Sequence, residues 1–118
     1  MKALRIDGVL FESKNAPQLV EFYRDAMGVP LEAEHHGPEL HWGCDLDGIH
    51  FAIHSRNEKA ATPCVAISFE VEDVDKAVAE LRGGVKVEME PCTMPFGRLA
   101  SVRDPDGNLV YLHRYPTE

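Results

Sequence analysis

One stretch of this chain is written twice. Gly48-Ile49-His50-Phe51-Ala52-Ile53-His54 matches Gly107-Asn108-Leu109-Val110-Tyr111-Leu112-His113. Phe11-Glu12 matches Phe69-Glu70, and Leu19, Val20 and Tyr23 match Ala77, Val78 and Leu81. The offset is about sixty residues throughout, close to half of the 118-residue chain. A repeat of this length fixes the architecture, because each half must build the same unit and bury its apolar face by the same means.

The elements follow from local pattern. Leu4 to Phe11 reads as a strand with Val9 and Phe11 on one face. Asn15 is placed to cap a helix that carries Pro17 in its first turn and an apolar stripe of Leu19, Val20, Phe22, Tyr23, Ala26 and Met27. Gly28 closes that helix and Pro30 stops it. Leu31 to His35 is a short strand, His36-Gly37-Pro38 a turn, and Leu40 to Leu46 a strand. Asp47-Gly48 then signals a hairpin into Ile49 to His54. Ser55 to Pro63 is polar and reads as the joint. The second half repeats the order: strand Val65 to Val71, an Asp73-capped helix with Val74, Ala77, Val78 and Leu81, and a stop at Gly83-Gly84. Strand Val85 to Glu90 follows, then a bend over Pro91 to Pro95. The closing hairpin has its strands at Leu99 to Val102 and Leu109 to Tyr115. Its turn, Asp104-Pro105-Asp106-Gly107, has the composition of a type I turn. Each half is therefore βαβββ. The chain is α+β, with mixed curved sheets forming a cup and the helices outside.

Composition excludes several classes. Twenty acidic residues against 12 basic give a net charge of −8, which removes the basic face a nucleic-acid binder needs. The three cysteines, Cys44, Cys64 and Cys92, form no CxxC pair and no disulfide framework. They read as reduced thiols of a cytoplasmic protein. Arg5 and Asp7 break the apolar run at the N-terminus, so it does not read as a signal peptide, and no stretch has the length of a membrane span.

Four stretches together resemble the vicinal oxygen chelate superfamily of glyoxalases, bleomycin-resistance proteins and extradiol dioxygenases. They are Phe22-Tyr23-Arg24-Asp25-Ala26-Met27-Gly28, Phe69-Glu70-Val71-Glu72-Asp73-Val74-Asp75, Phe96-Gly97-Arg98, and Asp104-Pro105-Asp106-Gly107-Asn108. The resemblance implies one domain over residues 1–118: module 1 at about 1–56, a linker at about 57–63 and module 2 at about 64–118. It also implies a homodimer. The family's four metal-ligand positions carry over to Gly8, Ala52, Ala66 and Tyr111. Three of these have no donor side chain, so no metal and no other cofactor is expected.

Alternation places Gly8, Leu10 and Glu12, His50, Ala52 and His54, Ala66, Ser68 and Glu70, and Leu109, Tyr111 and His113 on the cup face. The ligand-binding candidates are His50, His54, Tyr111, His113, Glu12, Glu70 and Trp42, the last as a stacking platform. His50 and His54 stand roughly 13 Å apart along one strand. They cannot share an ion whose ligand atoms lie within about 4 Å of each other. A site assembled across strands, such as His50 with His41, stays open. No Gly-x-Ser-x-Gly elbow and no phosphate-cradling loop is present. The expected function is small-molecule binding in the cup without the metal. The alternatives are a metal-dependent lyase, isomerase or dioxygenase with displaced divalent-metal ligands, and a metal-free enzyme using His50, His54 or His113 as general acid/base. Whether the protein turns anything over is left open by these residues.

Overall fold

The computed structural model describes residues 1–34, 40–55 and 64–116. The His35-His36 pair, the His36-Gly37-Pro38 turn and most of the Ser55–Pro63 joint lie outside the described residues. Eight strands occur among them: β1 (Arg5–Ser13), β2 (Glu32–Glu34), β3 (His41–Leu46), β4 (Ile49–Ser55), β5 (Cys64–Glu70), β6 (Lys86–Met94), β7 (Gly97–Arg103) and β8 (Leu109–Arg114). Helix α1 is Ala16–Glu21 and helix α2 is Val74–Leu81. The strand order is β2-β3-β4-β1 in one half and β5-β8-β7-β6 in the other. In each half the first strand pairs parallel with the last, β1 with β4 and β5 with β8, and the hairpin partners are antiparallel. This is the α+β arrangement of two βαβββ modules that the repeat predicts. Two compact units emerge, Gly8–Val65 and Met1–Asp7 with Ala66–Glu118. The first residues of β1 thus belong with the second module.

Gly8–Val65 is built around α1. Ala16, Leu19, Val20 and Tyr23, at the i, i+3, i+4, i+7 spacing of one helix face, pack on Phe11, Phe51 and Ile53. The rings of Phe11, Tyr23 and Phe51 form a triangle with centroids 5.3–5.5 Å apart. Ile53 is fully buried, which contributes about 2–3 kcal/mol. The stripe is narrower than its sequence pattern. After Glu21 the helix widens into a π turn at Phe22–Ala26, with the Met27 amide donating to the Phe22 carbonyl. The extra residue in the turn rotates the face, and Phe22 and Met27 end up exposed. Asn15 occupies the N-cap position but its side chain caps nothing. Asp47 and Gly48 both have positive φ, 54° and 80°, as a tight hairpin turn requires.

In the second unit, α2 is capped as expected, the Asp73 carboxylate accepting from the Lys76 amide at 3.0 Å. Val74, Ala77 and Val78 pack on Ala100, Val102 and Leu112. The Asp104 carboxylate accepts from the Asp106 and Asn108 amides and from the Asn108 side chain, which closes the 104–107 turn. The bend expected over Pro91 to Pro95 is absorbed instead within β6. The strand runs to Met94 with register shifts between Val87 and Met89 and between Met89 and Cys92. Pro91 is tolerated there because β6 ends the strand order among the described residues. Among the described residues no helix is long and apolar enough to cross a membrane.

Candidate functional site

In each unit the helix takes the apolar side of the sheet, and polar side chains gather on the other. In Gly8–Val65 the gathering is built on β2, β3 and β4. Pairing sets His41 opposite both Glu34 and His54. The His41 Nε2–H donates to Glu34 Oε2 at 3.0 Å, and the His41 and His54 rings lie parallel, 4.4 Å apart and 3° from coplanar orientation. Gly43 makes room for this. A Cβ there would stand 2.6 Å from Glu34 Oε1 and 3.2 Å from His50 Cε1, so the missing side chain lets the carboxylate and the His50 ring settle over the β3 backbone. His50 is exposed and its backbone pairs with Gly8 and Asp45. Glu12 pairs with His54 along β1 and borders a shallow groove with Phe11, Gln18 and Phe22. Trp42 lies on the other side, against the α1 cluster. Cys44 packs there too, and burial, with Asp45, Glu34 and Glu32 nearby, pushes its thiol up.

In the second unit the centre is His113. Its Nδ1 lies 3.0 Å from Asp7 Oδ2 and its Nε2 lies 2.8 Å from the Phe96 carbonyl oxygen. Both partners accept, so both ring nitrogens donate and the ring is an imidazolium. Its proton is held above the ordinary histidine range by the Asp7 hydrogen bond first; burial opposes this, and the Phe96 carbonyl and the charges of Asp7 and Glu70 reinforce it. For Asp7, only 3% exposed, burial pushes the carboxyl up. The His113 hydrogen bond, the neighbouring Ser68 hydroxyl and the charges of His113 and Arg5 outweigh it and hold the group below the usual range. The pair is closed off from ligands at both His113 nitrogens. Asp7 Oδ1, however, is buried with no hydrogen-bond partner: Ser68 is close enough to favour the charge but does not meet hydrogen-bond geometry. Glu70 accepts from Arg5 Nε at 3.3 Å and lies 4.0 Å from Arg114 Nη1. Arg5 also donates to the Tyr115 hydroxyl at 3.1 Å. Tyr111 is half-buried, its backbone between Ser68 and Ser101.

The motif glycine of Phe96-Gly97-Arg98 has a direct cause. Gly97 has φ of +127°, and a Cβ would fall on the Arg114 carbonyl oxygen and 3.1 Å from His113 Nε2. Arg98 next to it clamps Asp75 with two bonds of 2.7 and 3.0 Å.

Two acids were missed by strand alternation, Glu34 and Asp7. The β2–β3 register sets Glu34 opposite His41, a pairing that the alternation within either strand does not contain. Asp7 carried a weak signal: a carboxylate in the middle of an apolar strand, where Asp is disfavoured. Its partner is 106 residues away.

The sequence model of the Glyoxalase/Bleomycin resistance protein/Dioxygenase superfamily matches residues 5–112. The chain belongs to this superfamily. No curated protein matches. Among solved structures it is similar to a variant of Streptomyces coelicolor methylmalonyl-CoA epimerase in complex with 2-nitronate-propionyl-CoA, at 24% identity, TM-score 0.71, and coverage of 98% of this chain and 100% of that one. It is similar to a superfamily member from Vibrio splendidus 12B01 at 17% identity, TM-score 0.68 and coverage of 92% and 96%. A third is an NAD-dependent benzaldehyde dehydrogenase from Legionella pneumophila, at 21% identity, TM-score 0.61 and coverage of 92% and 98%. These likenesses show the fold, which hosts many chemistries. A divalent metal is common in the superfamily, and the residues present do not fit one at its usual positions. Gly8, Ala52 and Ala66 offer no donor atom, and among the described residues no three His, Cys, Asp or Glu side chains converge as a metal-binding group.

Proposed function

We propose that this superfamily member binds a small molecule on the helix-free faces of its modules without the family's divalent metal, as a cytoplasmic homodimer. The observation that carries the reading is the Glu34–His41–His54 cluster over Gly43. A few polar groups converging on one side of a sheet, with the apolar residues committed to the helix on the other, are the makings of a recognition surface. The donor-free residues at the family's metal positions support the same reading. The test is metal content followed by titration of stripped protein with Fe(II), Mn(II), Ni(II) and Zn(II), then a thermal-shift screen starting with cationic and aromatic compounds. Saturable stabilisation by a compound, with less than a tenth of an equivalent of tightly held metal, is the expected result. A stoichiometric metal overturns it and makes the displaced-ligand enzyme the leading reading.

The Glu34–His41 hydrogen bond favours a second reading, a metal-free acid–base enzyme. A carboxylate that fixes one ring nitrogen sets the tautomer and orientation of a histidine, and His54 is stacked beside it. Turnover of a bound compound that disappears in His54→Ala while binding persists selects this reading.

A further inference from the structure

The Asp7–His113 pair leaves one atom unaccounted for. Buried polar groups in folded proteins almost always have partners, and Asp7 Oδ1 has none. We propose that Asp7 Oδ1 anchors a subsite for a neutral, planar hydrogen-bond donor attached to an aromatic ring, such as an aryl amide or a phenol. The proposal deepens the small-molecule reading and rests on it.

The chemistry follows from what surrounds the atom. The other oxygen of Asp7 accepts from His113, so the carboxyl is an ionised acceptor and Oδ1 takes only a donor. The imidazolium balances that charge. Glu70 is balanced in turn by Arg5 and Arg114. A cationic ligand adds an uncompensated charge to a buried pair, an anionic one repels Asp7, and a neutral N–H or O–H adds none. The rings beside the pair set the rest of the ligand. Phe96 lies 5.8 Å from the His113 ring and Tyr115 lies edge-on at 4.4 Å. Both are exposed, at 52% and 41%, so a flat molecule approaching the pair meets these two rings first. Once there, an aromatic body has two aromatic faces to pack on.

The experiment uses the full chain near pH 6 with four probes: benzamide, phenol, toluene (the ring without a donor) and benzylammonium (a charged donor). Binding is read by titration calorimetry and by amide and imidazole NMR shifts. Benzamide and phenol should saturate, shift Ser68 and His113, and bind at least about tenfold more tightly than toluene or benzylammonium. Asp7→Asn should remove that preference. If that variant does not fold, the ranking of probes on the wild type decides alone. Ser68→Ala should leave binding within about threefold. The proposal is overturned by toluene binding as well as benzamide, by benzylammonium binding best, by no probe binding, or by Ser68→Ala strengthening binding. The last shows that the serine hydroxyl is the partner of Oδ1. Shifts confined to His41 and His54 overturn this subsite while leaving the small-molecule reading intact.

Discussion

His54 and His113 occupy the same place in the repeat and do different things. Each is the penultimate residue of the last strand of its module, six residues after the turn glycine Gly48 or Gly107. His113 is 8% exposed, with both ring nitrogens tied to acceptors. His54 is half-buried and stacked flat on His41. The difference comes from what each module brings to the position. The second receives Asp7 and a close-packed turn through Gly97; the first receives another imidazole and a carboxylate seated over Gly43. A repeat therefore fixes where a side chain points from, while residues outside the repeat decide its partners. One histidine is held between two acceptors, and the other lies against a second imidazole ring.

The sharpest break in this comparison is removal of one member of the buried pair. Asp7→Ala or His113→Ala should lose about 3–5 kcal/mol of unfolding free energy, because the remaining charge is left without compensation. His54→Ala should lose roughly 1 kcal/mol or less, as expected of a partly exposed ring contact. Urea denaturation measures all three, and equal losses at His54 and His113 contradict the division of roles. Gly97→Ala comes next. It places a methyl on the Arg114 carbonyl at a φ that L-residues avoid, and should cost about 2–3 kcal/mol.

The pH dependence sharpens the contrast further. His113 is raised in the fold, so its contribution is complete below its unfolded value of about 6.5 and is lost as pH rises through the raised value. Asp7 is lowered, so its contribution is complete above about 3.8 and is lost as pH falls through the lowered value. The stability gap between wild type and His113→Gln should be widest between those limits and shrink on either side, as measured by urea curves across a pH series. A gap that widens above pH 8 refutes the imidazolium assignment. The smallest effect is expected at Gly43→Ala. Its clash is with the far end of the Glu34 side chain, which can swing away, so stability should fall by only about 1 kcal/mol. The His41 imidazole resonance should nevertheless move as its hydrogen bond is lost.

Architecture was readable because it rests on local rules. The repeat, the Asp47-Gly48 and 104–107 turns and the Asp73 cap each act within a few residues, and their sum is the βαβββ order. The α1 stripe was overread at Phe22 and Met27 because a π turn depends on how the chain leaves the helix, which periodicity does not contain. Which side chains share a face of the sheet was legible, and which of them meet was not. Alternation found His50, His54 and His113 on the helix-free faces and named Tyr111, Glu12 and Glu70 with them. It also offered Trp42, whose ring packs with the α1 core. It did not find Asp7 or Glu34, since a hydrogen bond across 106 residues, or a carboxylate settled over a glycine, is a property of tertiary placement.

The irregular β6 has a consequence for the life of the protein in a crowded cell. A straight outermost strand offers a row of unused amides and carbonyls on which another chain can polymerise. Here that row is interrupted by Pro91, which has no amide hydrogen, and thrown out of step by the two register shifts. At the far end of the first module's order, β2 covers three of the described residues, Glu32–Glu34. Irregularity at one border and shortness at the other are both devices by which sheet proteins discourage strand pairing with their neighbours.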